Sequence, residues 1–170
     1  NGVFTASGNV GSGSVTVSLG RVSVTIPVTV TARALRTLDG FETSFAAMTG
    51  TRAMLSYNND MSRVHNGFAS ARLDYATGSG GDAYIGMQYA VPSNYDQLNF
   101  WVYGDNSGAQ LALVTDTGYV NVGALNFSGW KLLTVNLGTA SSITGMTVSS
   151  VSDLISAIYL CLLYTSDAAD

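Results

Sequence analysis

LNFWVYGDNSGAQLALVTD, residues 98–116, decides the fold class. Side chains alternate across an extended chain, so Leu98, Phe100 and Val102 share one face and Asn99, Trp101 and Tyr103 the other. Gly104, Asp105, Asn106, Ser107 and Gly108 interrupt the run with residues that favour turns. Leu, Ala and Val then resume from Gln110 to Thr115. The stretch reads as two apolar strands folded about a Gly-Asp-Asn-Ser-Gly turn, the centre of a β-sandwich rather than of an active site.

The same period of two extends outward. Ala69, Ala71, Leu73 and Tyr75 alternate with Ser70, Arg72 and Asp74, and Ile85, Met87, Tyr89 and Val91 with Tyr84, Gly86 and Gln88. Further strands are expected at residues 119–122, 130–137 and 154–160, giving about seven with turn signals between them. Residues 44–66 show no period and are expected to wrap the sandwich irregularly. With no helical period anywhere, the chain is all-β, a jelly-roll β-sandwich.

Residues 1–33 form a separate piece. Val15, Val17 and Leu19, then Val22, Val24, Ile26, Val28 and Val30, alternate with small polar residues, and Gly20-Arg21 can turn one strand onto the next. Glycines 8, 11 and 13 form a turn without the Lys-Ser/Thr that a phosphate cradle requires. Pro27 marks an edge or a bulge. Two or three strands do not make a stable domain, so residues 1–33 read as the closing strands of an Ig-like β-sandwich. Residues 34–37 are expected as a linker and 38–160 as the jelly roll. The last ten residues, CLLYTSDAAD, resemble the translation of a common transposon-type sequencing adapter and are set aside as an artefactual tail, 161–170.

Composition narrows the function classes. The chain has 7 basic and 11 acidic residues, and without Asp167 and Asp170 of the tail the balance is 7 to 9, a net charge of about −2. That gives no basic surplus for nucleic acid. The one cysteine, Cys161, lies in the tail, so the body has no disulfide and no thiolate metal site. No apolar run is long enough to span a membrane. Nineteen glycines and few charges favour an extracellular β-protein.

The order LDGFE (38–42), HNGFASARLDY (65–75), LNFWVYGDNSG (98–108), FSGWKLLTV (127–135) and ISAIYL (155–160) resembles the carbohydrate-binding-like, galactose-binding-like jelly-roll modules of secreted bacterial enzymes. The resemblance implies an Ig-like segment before the module and an attached catalytic domain of phosphodiester glycosidase type. It further implies a secreted or cell-envelope location and a polysaccharide or cell-wall glycan as partner. It also implies a structural calcium in some members, for which Asp39 and Glu42 are the candidate ligands; no other cofactor is expected. The alternative is a structural spacer or interaction domain with no ligand.

Chemistry beyond binding has little to work with. A glycosidase needs two carboxylates flanking the bond, yet most acids here sit in expected turns, and the one histidine, His65, falls in a polar loop where a solvated side chain is expected. Asp105-Asn106-Ser107-Gly108 starts like a calcium loop, but Gln110 and Asp116 stand where that motif needs glycine and glutamate. Sugar binding needs flat aromatic faces and amides. Asn99, Trp101 and Tyr103 on one strand, Tyr84 and Gln88 on another, and Gln110 after the turn are expected to build one such surface. The competing expectation buries Trp101 beneath residues 44–66 and places Trp130 at the core edge.

Overall fold

A computed structural model describes residues 11–30 and 35–166. The chain divides into two units after Ala34. In the first, β1 (Gly11–Leu19) and β2 (Val22–Val30) form an antiparallel hairpin in continuous register from Gly11 opposite Val30 to Leu19 opposite Val22. Gly20 takes φ +61° at the turn, where a Cβ would strain the backbone. Gly11 and Gly13, expected in a turn, are strand residues; Gly8 lies outside the described residues. Val15 and Ile26, Val17 and Val24, and Leu19 and Val22 pair across the hairpin, giving one apolar face.

The second unit is a β-sandwich of two antiparallel sheets. Its strands are β3 (Leu35–Asp39), β4 (Met48–Thr49), β5 (Ala53–Asn58), β6 (Ser70–Thr77), β7 (Ala83–Ala90), β8 (Gln97–Asp105), β9 (Gln110–Thr115), β10 (Gly118–Ala124), β11 (Ser128–Asn136), β12 (Ser142–Ser149) and β13 (Leu154–Ser166), with a single 3₁₀ turn at Met61–Arg63. The smaller sheet runs β10-β9-β12-β7; the larger runs β11-β8-β13-β6-β5-β4, with β3 also paired to β13. No helix among the described residues is long and apolar enough to cross a membrane.

Alternation builds the core. Leu98, Phe100 and Val102 of β8, Leu111 and Leu113 of β9, Ile143 of β12 and Ile158 of β13 are fully buried between the sheets. At roughly 1.5–3 kcal/mol for each large apolar side chain removed from water, this layer dominates the stability. Leu55, Leu73 and Ile158 face one another across β5, β6 and β13.

Several expectations change here. The turn at residues 104–108 joins two sheets instead of closing a hairpin: β8 pairs with β11 and β13, and β9 with β10 and β12. Asn106 at φ 57° and Gly108 at φ 73° reverse the chain, while their amides bond to the Phe127 and Leu125 carbonyls. Residues 44–66, expected to be irregular, hold β4, β5 and the 3₁₀ turn. The expected linker is largely β3, paired with residues 163–166 of β13. β13 does not stop at Leu160; Cys161, Leu163 and Thr165 are buried, and the strand continues against β8 to Ser166.

Candidate functional site

The outer face of the larger sheet carries a row of side chains aligned across five strands. Trp130 on β11 stands opposite Tyr103 on β8, Tyr103 opposite Tyr159 on β13, Tyr159 opposite Arg72 on β6, and Arg72 opposite Ser56 on β5. At about 4.8 Å per strand the row spans roughly 19 Å. Its aromatic members are half-buried, and the opposite parity of β6, β8 and β13 supplies core residues. The rings meet edge to face: Tyr103 and Trp130 at 5.5 Å, Tyr103 and Tyr159 at 6.1 Å.

The 3₁₀ turn and the loop after it lie on this face. Asp60 caps the turn, accepting a hydrogen bond from the Ser62 amide at 3.0 Å, and this bond with the Ser62 side chain holds its carboxyl below the ordinary value. Arg63 places its guanidinium carbon 4.4 Å from the Tyr103 centroid and 5.8 Å from that of Tyr159. His65 stacks on Trp101 at 3.7 Å with the planes 16° apart, and meets Trp130 edge-on at 5.5 Å. Further along the row, Arg72 donates to Asp74 at 2.6 and 3.0 Å, a pairing that raises the guanidinium pKa. Beyond Asp74 an open hollow of about 580 Å³ continues over Met54, Ala76 and Ile155.

The six residues expected to form one surface fall on two sheets. Asn99, Trp101 and Tyr103 lie on the face just described. Asn99 is buried and accepts a 2.7 Å hydrogen bond from Thr134, so it braces β11 against β8. Tyr84 and Gln88 on β7, and Gln110 at the start of β9, belong to the smaller sheet and take no part. Tyr84 has a packing role instead. Its ring covers Gly145, where a Cβ would come within 2.5 Å of it, and its hydroxyl donates to the Thr144 carbonyl at 3.2 Å.

The aromatic residues outside those six also differ from expectation. Trp130 sits on the outer face rather than at the core edge, and His65, though exposed, holds a fixed stack. Sequence reading left Arg63, Arg72 and Tyr159 unassigned. Tyr159 was within reach, since it alternates with the core residues Ile158 and Leu160. Arg63 had no such signal, because it reaches the row from a loop.

The remaining acids mostly tie down backbone. Asp39 accepts from the Phe41 amide at 2.7 Å and from the Tyr89 hydroxyl at 2.9 Å; burial foremost, then Asp39, pushes the Tyr89 phenol well above its usual range. Glu42 accepts from the Phe68 amide at 2.7 Å. These are the two carboxylates expected to hold calcium, which takes six to eight oxygens; each is engaged by protein donors. Among the described residues no group of three or more His, Cys, Asp or Glu could hold a metal ion. Asp116 receives the Ser141 and Ser142 amides, and Asp153 the Ser79 amide.

No family model matches the chain, and no curated protein matches it. Solved structures do. A family 11 carbohydrate-binding module from a cellulosomal cellulase of Clostridium thermocellum matches 81% of this chain and 97% of its own at 13% identity, with a TM-score of 0.54. The Clostridium thermocellum family 11 module in complex with a β-1,3-1,4-mixed-linked tetrasaccharide covers 81% and 98% at 13% identity and a TM-score of 0.55. A structure described as a carbohydrate-binding module of the β-sandwich superfamily with promiscuous specificity covers 91% and 74% at 15% identity and a TM-score of 0.55. The fold is therefore the jelly-roll β-sandwich shared by carbohydrate-binding modules.

Proposed function

We infer that this chain carries a non-catalytic carbohydrate-binding module that holds an attached polysaccharide-acting enzyme at its substrate. One observation carries the reading: Trp130, Tyr103 and Tyr159 stand in register across three strands on a face where alternation does not require aromatics. Such rings offer apolar surface to the C–H groups of pyranoses, with Tyr103 perpendicular to the ring on either side, and Arg72 and Ser56 extend the row, Asp74 beside them, with groups that bond hydroxyls. A glycan chain lying across the strands would meet them in succession. The mixed-linked tetrasaccharide held by a structural neighbour supports this class of ligand.

Tethering raises the local concentration of the attached enzyme, so even a weak site is useful. The parent is a secreted enzyme acting on exported or cell-wall glycan, of phosphodiester glycosidase type as the sequence resemblance implies. In this reading residues 1–33 are the end of an Ig-like domain.

A structural spacer without ligand is the second reading. It is favoured by His65 lying flat on Trp101, where a sugar would otherwise stack. A glycan array probed with the whole chain, Tyr103→Ala and Tyr159→Ala, with folding checked by circular dichroism, separates the two. Binding by the parent and its loss in folded variants supports the module; no binding by the folded parent leaves the spacer.

A further inference from the structure

We propose that the glycan bound on this face is anionic and that Arg63 pairs with its charge. The proposal rests on the carbohydrate-binding reading and names the ligand class within it. Arg63 stands over the middle of the aromatic row, between Tyr103 and Tyr159. Among the described residues the one ion pair is Arg72 with Asp74. The Arg63 guanidinium donates to the Ser62 carbonyl at 3.1 Å, a neutral acceptor, and no carboxylate lies within ion-pair distance. Its neighbour Asp60 caps the 3₁₀ turn and feels the Arg63 charge without reaching ion-pair distance.

The chain as a whole is acidic, with a formal charge of −4, so a cation without a direct ion pair here is no reflection of a basic surface. A guanidinium can lie against an aromatic face and still present planar donors to a carboxylate or phosphate. Arg63 therefore completes the row: its guanidinium, lying over Tyr103, takes an acidic substituent while the rings on either side pack against the sugar. A neutral chain crossing the same rings would offer the guanidinium hydroxyl acceptors only, and bonds to an ionised acceptor are stronger. Arg72 is the lesser candidate, because Asp74 already neutralises it.

The ligand chemistry is thus a pyranose polymer carrying a carboxylate or a phosphodiester. The test is titration calorimetry of the whole 170-residue chain. Its probes are polygalacturonate, a glycosyl-phosphate polymer and a neutral mixed-linked β-glucan. One anionic polymer is expected to bind about ten-fold more tightly than the glucan, consistent with one charge-assisted contact. Arg63→Gln should remove that advantage and Arg63→Lys should keep part of it. Raising salt from about 0.05 to about 0.5 M should weaken the parent more than Arg63→Gln.

Which polymer binds tells a uronate source from a phosphate source. Equal or tighter binding of the neutral glucan overturns the anionic proposal and leaves the carbohydrate-binding module standing. Retention of anionic preference in folded Arg63→Gln overturns it as well. No binding of any probe overturns both readings.

Discussion

Leu163→Ala tests whether the chain beyond Leu160 builds the central strand of the larger sheet. Leu163 is 3% exposed, belongs to the core, and stands opposite Phe100 on one side and Asp39 on the other. Truncating a buried leucine costs about 2–5 kcal/mol, from lost transfer energy and the cavity left behind. Phe100 and Leu98 are large, fully buried side chains held in a sheet, which limits collapse of that cavity and favours the middle of the range, about 3 kcal/mol. For a unit of this size each kcal/mol lowers the melting temperature by about 3–5 °C, so the expected fall is about 9–15 °C. Both tryptophans lie in the second unit, so their fluorescence during thermal and urea unfolding reports on it alone. Leu132→Ala, at a 38% exposed position on β11, is the control and should cost no more than about 0.5 kcal/mol. Equal melting temperatures for the two variants would refute the reasoning and restore Leu160 as the end of the fold.

Three further outcomes follow from the same geometry. Gly145→Ala should cost about 1–3 kcal/mol by overpacking against the Tyr84 ring and the Ile85 carbonyl, with part recovered in the Gly145→Ala, Tyr84→Ala double variant, read by urea denaturation. Cys161, 1% exposed and bonded to the Asn66 carbonyl, should react with a thiol reagent only as fast as the unit opens; immediate reaction in the folded protein would show the strand unseated. Asp105 and Tyr75 should shape both ends of the pH profile. Burial pushes the Asp105 carboxyl up, but hydrogen bonds from Ser156, Tyr75 and Ser107 together pull it lower. Its contribution is therefore present above about pH 4 and lost as pH falls through the depressed value, and Asp105→Asn should flatten that acid arm. Burial, then Asp105, pushes Tyr75 up to about 12. Stability it adds below about pH 10 is lost between there and pH 12, and Tyr75→Phe should remove its share of the slope.

Period-two alternation made the sandwich readable, because burying one parity is what a half-covered strand does. It could not assign partners. β8 and β9 are consecutive and both apolar, yet a five-residue turn serves a crossing between sheets as well as a hairpin, and the choice depends on which strands arrive later to pair with each. The hairpin reading placed Gln110 beside β8, and a separate expectation that β7 neighbours β8 placed Tyr84 and Gln88 there; all three lie on the smaller sheet. β5 was missed because its outward parity, Met54, Ser56 and Asn58, opens with an apolar residue and blurs the alternation. β12 carries Gly145 and a register shift between Ile143 and Gly145, which breaks the period.

The outer aromatics do not all call for the same explanation. Tyr84 is accounted for by the glycine it covers, and Trp101 by the histidine stacked on it; neither needs a ligand. Tyr103, Tyr159 and Trp130 have one another and the Arg63 charge, contacts worth about 0.5–1.5 kcal/mol per ring pair. Packing alone could be met by valine or threonine at these strand positions, with good β propensity and no exposed ring. What valine or threonine would not reproduce is a line of rings at strand spacing, Tyr103 perpendicular to the ring on either side, with a cation above its middle. Tyr103 and Tyr159, rather than Trp101, therefore carry the site. A folded Trp101→Ala variant that still binds glycan, beside Tyr103→Ala and Tyr159→Ala variants that do not, is the pattern this division of roles requires.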